Sequence, residues 1–185
     1  ATVSGVLEQG GKLTFNTRLV PDEVSIVNRN FTNGLGQKMI WFDSLGGWVA
    51  DTEVLQSTYE RISKSNPSDI RNPKHPVDSV TWYDATKFCS RFTMFERALG
   101  NVPDGYVYRL PTDAEWSEFA GETSLNNAIT SAYTRYRSSR PAGSVAPNNY
   151  GLYDIRGNLT EWVQDWYSQQ ILNRAEKEGA RTRPE

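Results

Sequence analysis

An irregular, loop-rich fold with a few helices and short strands is what this sequence predicts, and three observations predict it. Six Trp and nine Tyr stand out in a chain of 185 residues. Indole and phenol rings bury large areas while keeping one polar handle, which suits loops pinned by aromatics better than a regular bundle. Three stretches carry helical periodicity between stop and start signals, and two others read as strands.

Taken in order, residues 1–38 include Lys12-Leu13-Thr14-Phe15-Asn16-Thr17-Arg18-Leu19, whose apolar residues fall on odd positions as in a half-buried strand. Asn33-Gly34 marks a turn. This region is expected to be a β extension packed on the main domain or on another chain. The first helix is predicted over Val54–Lys64, where Val54, Leu55, Tyr59 and Ile62 share a face and Asn66-Pro67 stops it. The second begins at Thr81, with Asp84 in the capping-box position. Ala85, Phe88, Cys89, Phe92, Phe95 and Leu99 then recur at helical spacing until Gly100. Tyr106-Val107-Tyr108 is strand-like. The third helix starts at Thr112, with Glu115 completing a capping box, buries Trp116, Phe119 and Ala120, and ends at Gly121. Residues 121–150 are rich in Ser, Asn, Gly and Pro and read as loop. The polar run from Gln169 to Lys177 suits a surface helix.

The length suits one domain with a full core. Charged residues make up 23% and the net charge is -2, without the basic stripe of a nucleic-acid binder. No apolar run is long enough to span a membrane. No stretch reads as a signal peptide, although Ala1 is not an initiator Met. One cysteine leaves no internal disulfide.

The densest chemistry lies in Gly151-Leu152-Tyr153-Asp154-Ile155-Arg156-Gly157-Asn158-Leu159-Thr160-Glu161-Trp162, followed by Asp165-Trp166-Tyr167. Closely spaced carboxylate and backbone oxygens on a curled chain are what calcium asks for, and Gly157-Asn158 supplies the curl. The bland alternative is that Asp154 caps a turn and Glu161 pairs with an arginine such as Arg156.

Other pieces stand in a fixed order before it. Met39-Ile40-Trp41 precedes Asp51-Thr52-Glu53-Val54, and Asn66-Pro67-Ser68 leads to His75-Pro76-Val77. Ser79-Val80-Thr81-Trp82-Tyr83-Asp84-Ala85 continues into Phe88-Cys89, then Tyr108-Arg109-Leu110-Pro111-Thr112-Asp113-Ala114-Glu115-Trp116 follows. Together these motifs resemble the formylglycine-generating-enzyme (sulfatase-modifying-factor) domain family over 39–167. The resemblance implies a C-type-lectin-like α+β fold, with short antiparallel sheets and few helices tied by long loops. It also implies a structural calcium held by the side chains of Asp154 and Glu161 and the carbonyls of Gly157 and Leu159. A second calcium, which some relatives bind near a Trp-Gly pair, is not expected, because residues 131–140 are basic and lack that pair.

Enzymes of the family oxidise a substrate cysteine to formylglycine with molecular oxygen and Cu(I) on two thiolates, the soft ligands that ion needs. Here the sole cysteine, Cys89, falls on the apolar face of the second helix, where a small hydrophobe is expected. Copper is therefore not expected in this chain, and no catalytic residue is assigned. One histidine, His75, excludes the three-His iron site of a related branch and offers no Ser-His-Asp system, since nothing places a serine elbow near it. Asp113 and Glu115 suit a helix N-terminus, and Arg109 reads as an internal ion-pair partner.

The segment that closes the core in the family after the Asp-Trp-Tyr triplet is not recognisable in 168–185, a polar tail. Completion by another polypeptide segment or chain is expected. The leading expectation is a non-catalytic module that binds a protein, peptide or glycan, as accessory domains of bacterial multidomain proteins do. Its candidate recognition residues are Tyr133, Tyr136, Arg140 and Tyr150, although ordinary packing accounts for the tyrosines equally well. The alternative is a copper-dependent formylglycine-generating oxidase whose cysteine pair lies on a segment not included here.

Overall fold

The computed structural model describes the strand residues 2–3 and 6–9, residues 29–122 and residues 139–166. Seven strands and three helices lie within them. They are β1 (Thr2–Val3), β2 (Val6–Gln9), β3 (Phe31–Thr32), β4 (Lys38–Phe42), β5 (Gly47–Ala50), α1 (Gln56–Ser63), α2 (Trp82–Ala98), β6 (Tyr106–Arg109), α3 (Asp113–Ala120) and β7 (Glu161–Trp162). The main sheet has the order β3-β4-β5-β2-β6 and is antiparallel throughout. β1 and β7 form a separate parallel pair, with Thr2 opposite Glu161 and Val3 opposite Trp162.

The sheet is covered on both faces, and residue alternation divides it between two cores. Met39, Trp48, Ala50, Tyr106 and Tyr108 join one cluster with Tyr59 and Ile62 of α1 and Phe88, Cys89 and Phe92 of α2. Ile40, Phe42 and Val49 face the other way, against Phe119 and Ala120 of α3 and the loop residues Leu152 and Ile155. A strand buried on both faces loses its polar alternation. That is why Gly47–Ala50 is buried at every position. Aromatic contacts knit the larger cluster: Tyr59 stacks on Phe88 at 5.2 Å, and Phe92 lies 4.4 Å from Tyr108.

α2 and α3 begin where their capping boxes predict. The Thr81 hydroxyl accepts from the Asp84 N–H while the Asp84 carboxylate accepts from the Thr81 N–H, and Thr112 and Glu115 repeat the arrangement. α1 starts two residues later than the apolar pattern suggests. Leu55 instead forms a bridge to Pro76, so the helix opens at Gln56. Lys64 ends it in the left-handed conformation, with φ 63°.

The outer edge of β6 is closed by side chains of α2. The Tyr108 N–H donates to Thr93 Oγ1 at 2.9 Å, and Arg97 donates to the Tyr106 carbonyl at 2.8 Å. Groups that a free edge would offer to a passing strand are thus occupied.

The N-terminal region differs from the expected appendage. Val6–Gln9 stands inside the main sheet, paired on one side with β5 and on the other with β6. The signal was missed because four residues are too short to show a period. The alternating stretch at 12–19 and the predicted helix over 169–177 lie outside the described residues. Among the described residues, no helix is long and apolar enough to cross a membrane.

Candidate functional site

The 139–162 segment is folded by local polar chemistry rather than by regular structure. Asn148 starts it: its Oδ1 accepts from the N–H groups of Tyr150 and Leu152, and its Nδ2 donates to the Phe119 carbonyl. The Tyr153 N–H then donates to the Asp51 carbonyl at 2.8 Å, laying the motif against the end of β5. Asp154 and Asn158 both take left-handed backbone angles, φ 53° and 58°. Asn and Asp visit that region more readily than other side chains with a Cβ, so the tight reversal between them falls where the residue types allow it.

Asp154 is buried, and its Oδ2 accepts from the Gly143 N–H at 2.6 Å. Burial raises its carboxyl above the ordinary range, opposed by hydrogen bonds from the backbone of Gly143, Ser144 and Val145. The Gly157 N–H closes a turn onto the Asp154 carbonyl at 2.8 Å. Glu161, half-buried in β7, accepts from Trp116 Nε1 at 2.6 Å. Asp154 does fix a turn, as the bland reading had it. Arg156, however, donates to the Gly121 carbonyl and lies over the Trp116 ring at 5.8 Å.

Asn158 is the centre of the arrangement, with 2% of its surface exposed. Its Oδ1 accepts from the Arg140 N–H at 2.8 Å, and its Nδ2 donates to the Arg140 carbonyl and to Glu53 Oε2, at 3.1 and 2.9 Å. Glu53 Oε1 accepts from the Leu159 N–H at 3.2 Å. Glu53 is 1% exposed. Desolvation pushes its carboxyl well above the ordinary range, and the charges of Glu161 and Asp154 push it further, against the Asn158 and Leu159 hydrogen bonds. The sequence pointed to Asp51-Thr52-Glu53-Val54 as a motif but gave Glu53 no role. Its partners lie 105 and 106 residues away, which no local pattern reveals.

The residues suit a calcium ion in their chemistry. Two carboxylates and two main-chain carbonyls are hard oxygen donors of the kind that ion takes. Glu53 adds a third, buried carboxyl group, on which the charges of Glu161 and Asp154 act. Among the described residues no three His, Cys, Asp or Glu side chains gather into a metal-holding group. A shell here would therefore rest on Asp154 and Glu161 with the carbonyls of Gly157 and Leu159.

Cu(I) finds no such fit. Cys89 is buried in the α2 face of the larger core, and burial pushes its thiol up to about 12, so it stays protonated. His75 Nδ1 lies 3.0 Å from the hydroxyl of Ser139, a serine that sequence reasoning did not place beside it. With the Ala142 N–H donating to the Lys74 carbonyl, that pair fastens the 139–142 loop to the segment before β-bridge residue Pro76. Arg109 makes the expected internal pair, two-pronged to Glu115 at 2.6 and 2.7 Å.

Of the recognition candidates, Arg140 and Tyr150 are exposed, the latter with its ring 5.2 Å from Phe42. Tyr133 and Tyr136 lie outside the described residues, as does most of 131–140. A surface group not singled out from the sequence is formed by Trp82, Tyr83 and Trp166, where Trp82 meets the other two rings at 5.4 and 5.2 Å.

Comparison with known proteins bears on this site. Residues 22–182 match the model of the sulfatase-modifying factor enzyme 1-like domain, whose fold is C-type-lectin-like. The chain is 34% identical over 126 residues to serine/threonine-protein kinase pkn1 of Chlamydia caviae, covering 62% of this chain and 18% of that protein. It is 25% identical over 179 residues to chaperone protein LppX of Paenibacillus barcinonensis, covering 65% and 62%. It is 29% identical over 147 residues to the formylglycine-generating enzyme of Thermomonospora curvata, covering 65% and 42%. The match thus spans less than two thirds of the length of each of these relatives. No solved structure matches the chain significantly.

Proposed function

Because the chain belongs to the sulfatase-modifying factor enzyme 1-like domain family, we propose that it works as a non-catalytic binding or scaffold module of that fold. The observation that carries this reading is Cys89. It is the sole thiol in 185 residues, and it is buried and held protonated. A copper oxidase of this family needs two thiolates, and one inaccessible thiol supplies neither. In this reading a structural calcium sits at Asp154, Gly157, Leu159 and Glu161, holding the loop that carries the exposed face. Arg140 and Tyr150 lie on that face and contribute to recognition of a protein, peptide or glycan. Another polypeptide segment or chain completes the core. The test has two arms. The purified chain, with Cu(I), oxygen and a cysteine-containing peptide, should form no peptide aldehyde detectable by mass spectrometry; aldehyde formation overturns the reading. Immobilised glycan and peptide libraries should bind the wild-type chain and lose it with Arg140→Ala and Tyr150→Ala.

A second reading is favoured by the named relatives themselves, since formylglycine-generating enzymes of Thermomonospora curvata and Streptomyces coelicolor are 29% and 31% identical to this chain. In it, the domain is part of a copper-dependent oxidase whose cysteine pair stands on a different segment. A longer polypeptide carrying such a pair, showing copper-dependent aldehyde formation, would favour it over the first.

A further inference from the structure

We propose that Glu53 is a positioning residue for the ion loop: it holds the Asn158–Leu159 turn with both carboxylate oxygens and favours a cation that it does not itself touch. This rests on the calcium reading of the preceding subsection and deepens it. Three observations carry it.

The first is geometric. Glu53 lies just past β5, and the turn lies 105 residues later, yet the two oxygens of one carboxylate accept from two successive residues of that turn. Those residues sit between Gly157 and Glu161, inside the expected ligand set. The Asn158 amide passes the restraint on, since its other bonds fix Arg140 through both its N–H and its carbonyl. One buried carboxylate thus fixes the turn and, through Asn158, the neighbouring loop.

The second is electrostatic. A carboxylate that is 1% exposed has lost its water. Two further carboxylates, Glu161 and Asp154, act on it with the same sign. Buried like charges are unfavourable unless an opposite charge stands near. A divalent cation on Asp154 and Glu161 would supply that charge.

The third separates positioning from ligation. Both Glu53 oxygens already accept N–H donors, and among the described residues no three acidic or other ligating side chains form a metal-holding group. Glu53 therefore stands behind the ligands, as the hydrogen-bonded groups around metal sites do. Changing such groups typically weakens metal binding by roughly 10–100-fold.

The experiment is a calcium chloride titration of the chelator-treated chain, read as the thermal melt and as the calcium concentration at half effect. Wild type, Glu53→Gln, Asn158→Ala and the ligand variant Asp154→Ala are compared. Wild type should be stabilised by calcium, and Asp154→Ala should lose the response. Glu53→Gln should need roughly 10–100-fold more calcium for half effect. Asn158→Ala, which cuts one of the two links and leaves the Glu53 charge, should need a smaller excess. It decides the matter alone if Glu53→Gln does not fold. A merely structural glutamate would lower the melt equally with and without calcium and leave the half-effect concentration unmoved in both variants; that result overturns the inference while the calcium reading stands. A wild-type melt that ignores calcium overturns both.

Discussion

Replacing Thr93 by valine tests how the sheet edge is closed. Thr93 is 5% exposed, and its hydroxyl makes two bonds: it accepts from the Tyr108 N–H and donates to the Cys89 carbonyl, both at 2.9 Å. Valine fills nearly the same space, so no large cavity confounds the result. What changes is that the Tyr108 N–H, buried between α2 and β6, loses its acceptor. An unsatisfied buried donor costs about 1–3 kcal/mol. The methyl that replaces the hydroxyl returns at most about 0.8 kcal/mol through burial. With the full return the net loss is about 0.2–2 kcal/mol, and for a domain of this length each kcal/mol lowers Tm by about 2–4 °C. Thermal melts followed by circular dichroism should therefore fall by up to roughly 9 °C. Amide exchange at Tyr108 should speed up, because the same N–H is released toward solvent. A Thr93→Val variant that melts with wild type and keeps Tyr108 protected would refute the claim that Thr93 seals this edge.

Two further outcomes follow from the buried groups. Cys89, with its thiol pushed up to about 12 by burial, should resist a thiol reagent at neutral pH in the native chain and react fully once the chain is unfolded. Rapid native labelling would contradict its place in the core and weaken the case against a thiolate role. Glu115 should give an acid-side stability term. Burial alone would raise its carboxyl, but the bonds from Arg109 and the Thr112 N–H outweigh that and hold it below its ordinary 4.5. Its folded value being the lower one, the contribution is complete above pH 4.5 and is lost as pH falls through the folded value. Plots of Tm against pH for wild type and Glu115→Gln should converge across that acid window, and parallel plots would show that the pair contributes nothing.

The parts of the fold that were legible in the sequence are those whose cause is local. The capping boxes at Thr81 and Thr112 located the starts of α2 and α3 because both halves of each box lie three residues apart. The alternation of Tyr106-Val107-Tyr108 gave β6. The β4–β5 hairpin did not announce itself as strands, because Lys38–Phe42 and Gly47–Ala50 send apolar residues to both cores and so lose the period of two. Glu53 and Glu96 were opaque for another reason. A fully buried charge looks like a surface charge until its partners are known, and these find theirs at distance: Glu96 accepts from the Gly34 N–H with both oxygens, 62 residues back along the chain. In the candidate site, Asp154 and Glu161 were visible through their motif, while the hydrogen bonds that pin them, from Gly143 and Trp116, come from loop and helix positions that no spacing rule connects.

The position of β2 has a consequence for biogenesis. Its neighbours are β5 and β6, so Val6 waits for Val49 on one side and for Arg109 on the other. A ribosome delivers this strand before either partner, and the second follows about a hundred residues later, which makes the pairing non-local and slow to close. Until then β2 exposes one hydrogen-bonding edge to any strand nearby, a state that favours misassembly or a helper protein.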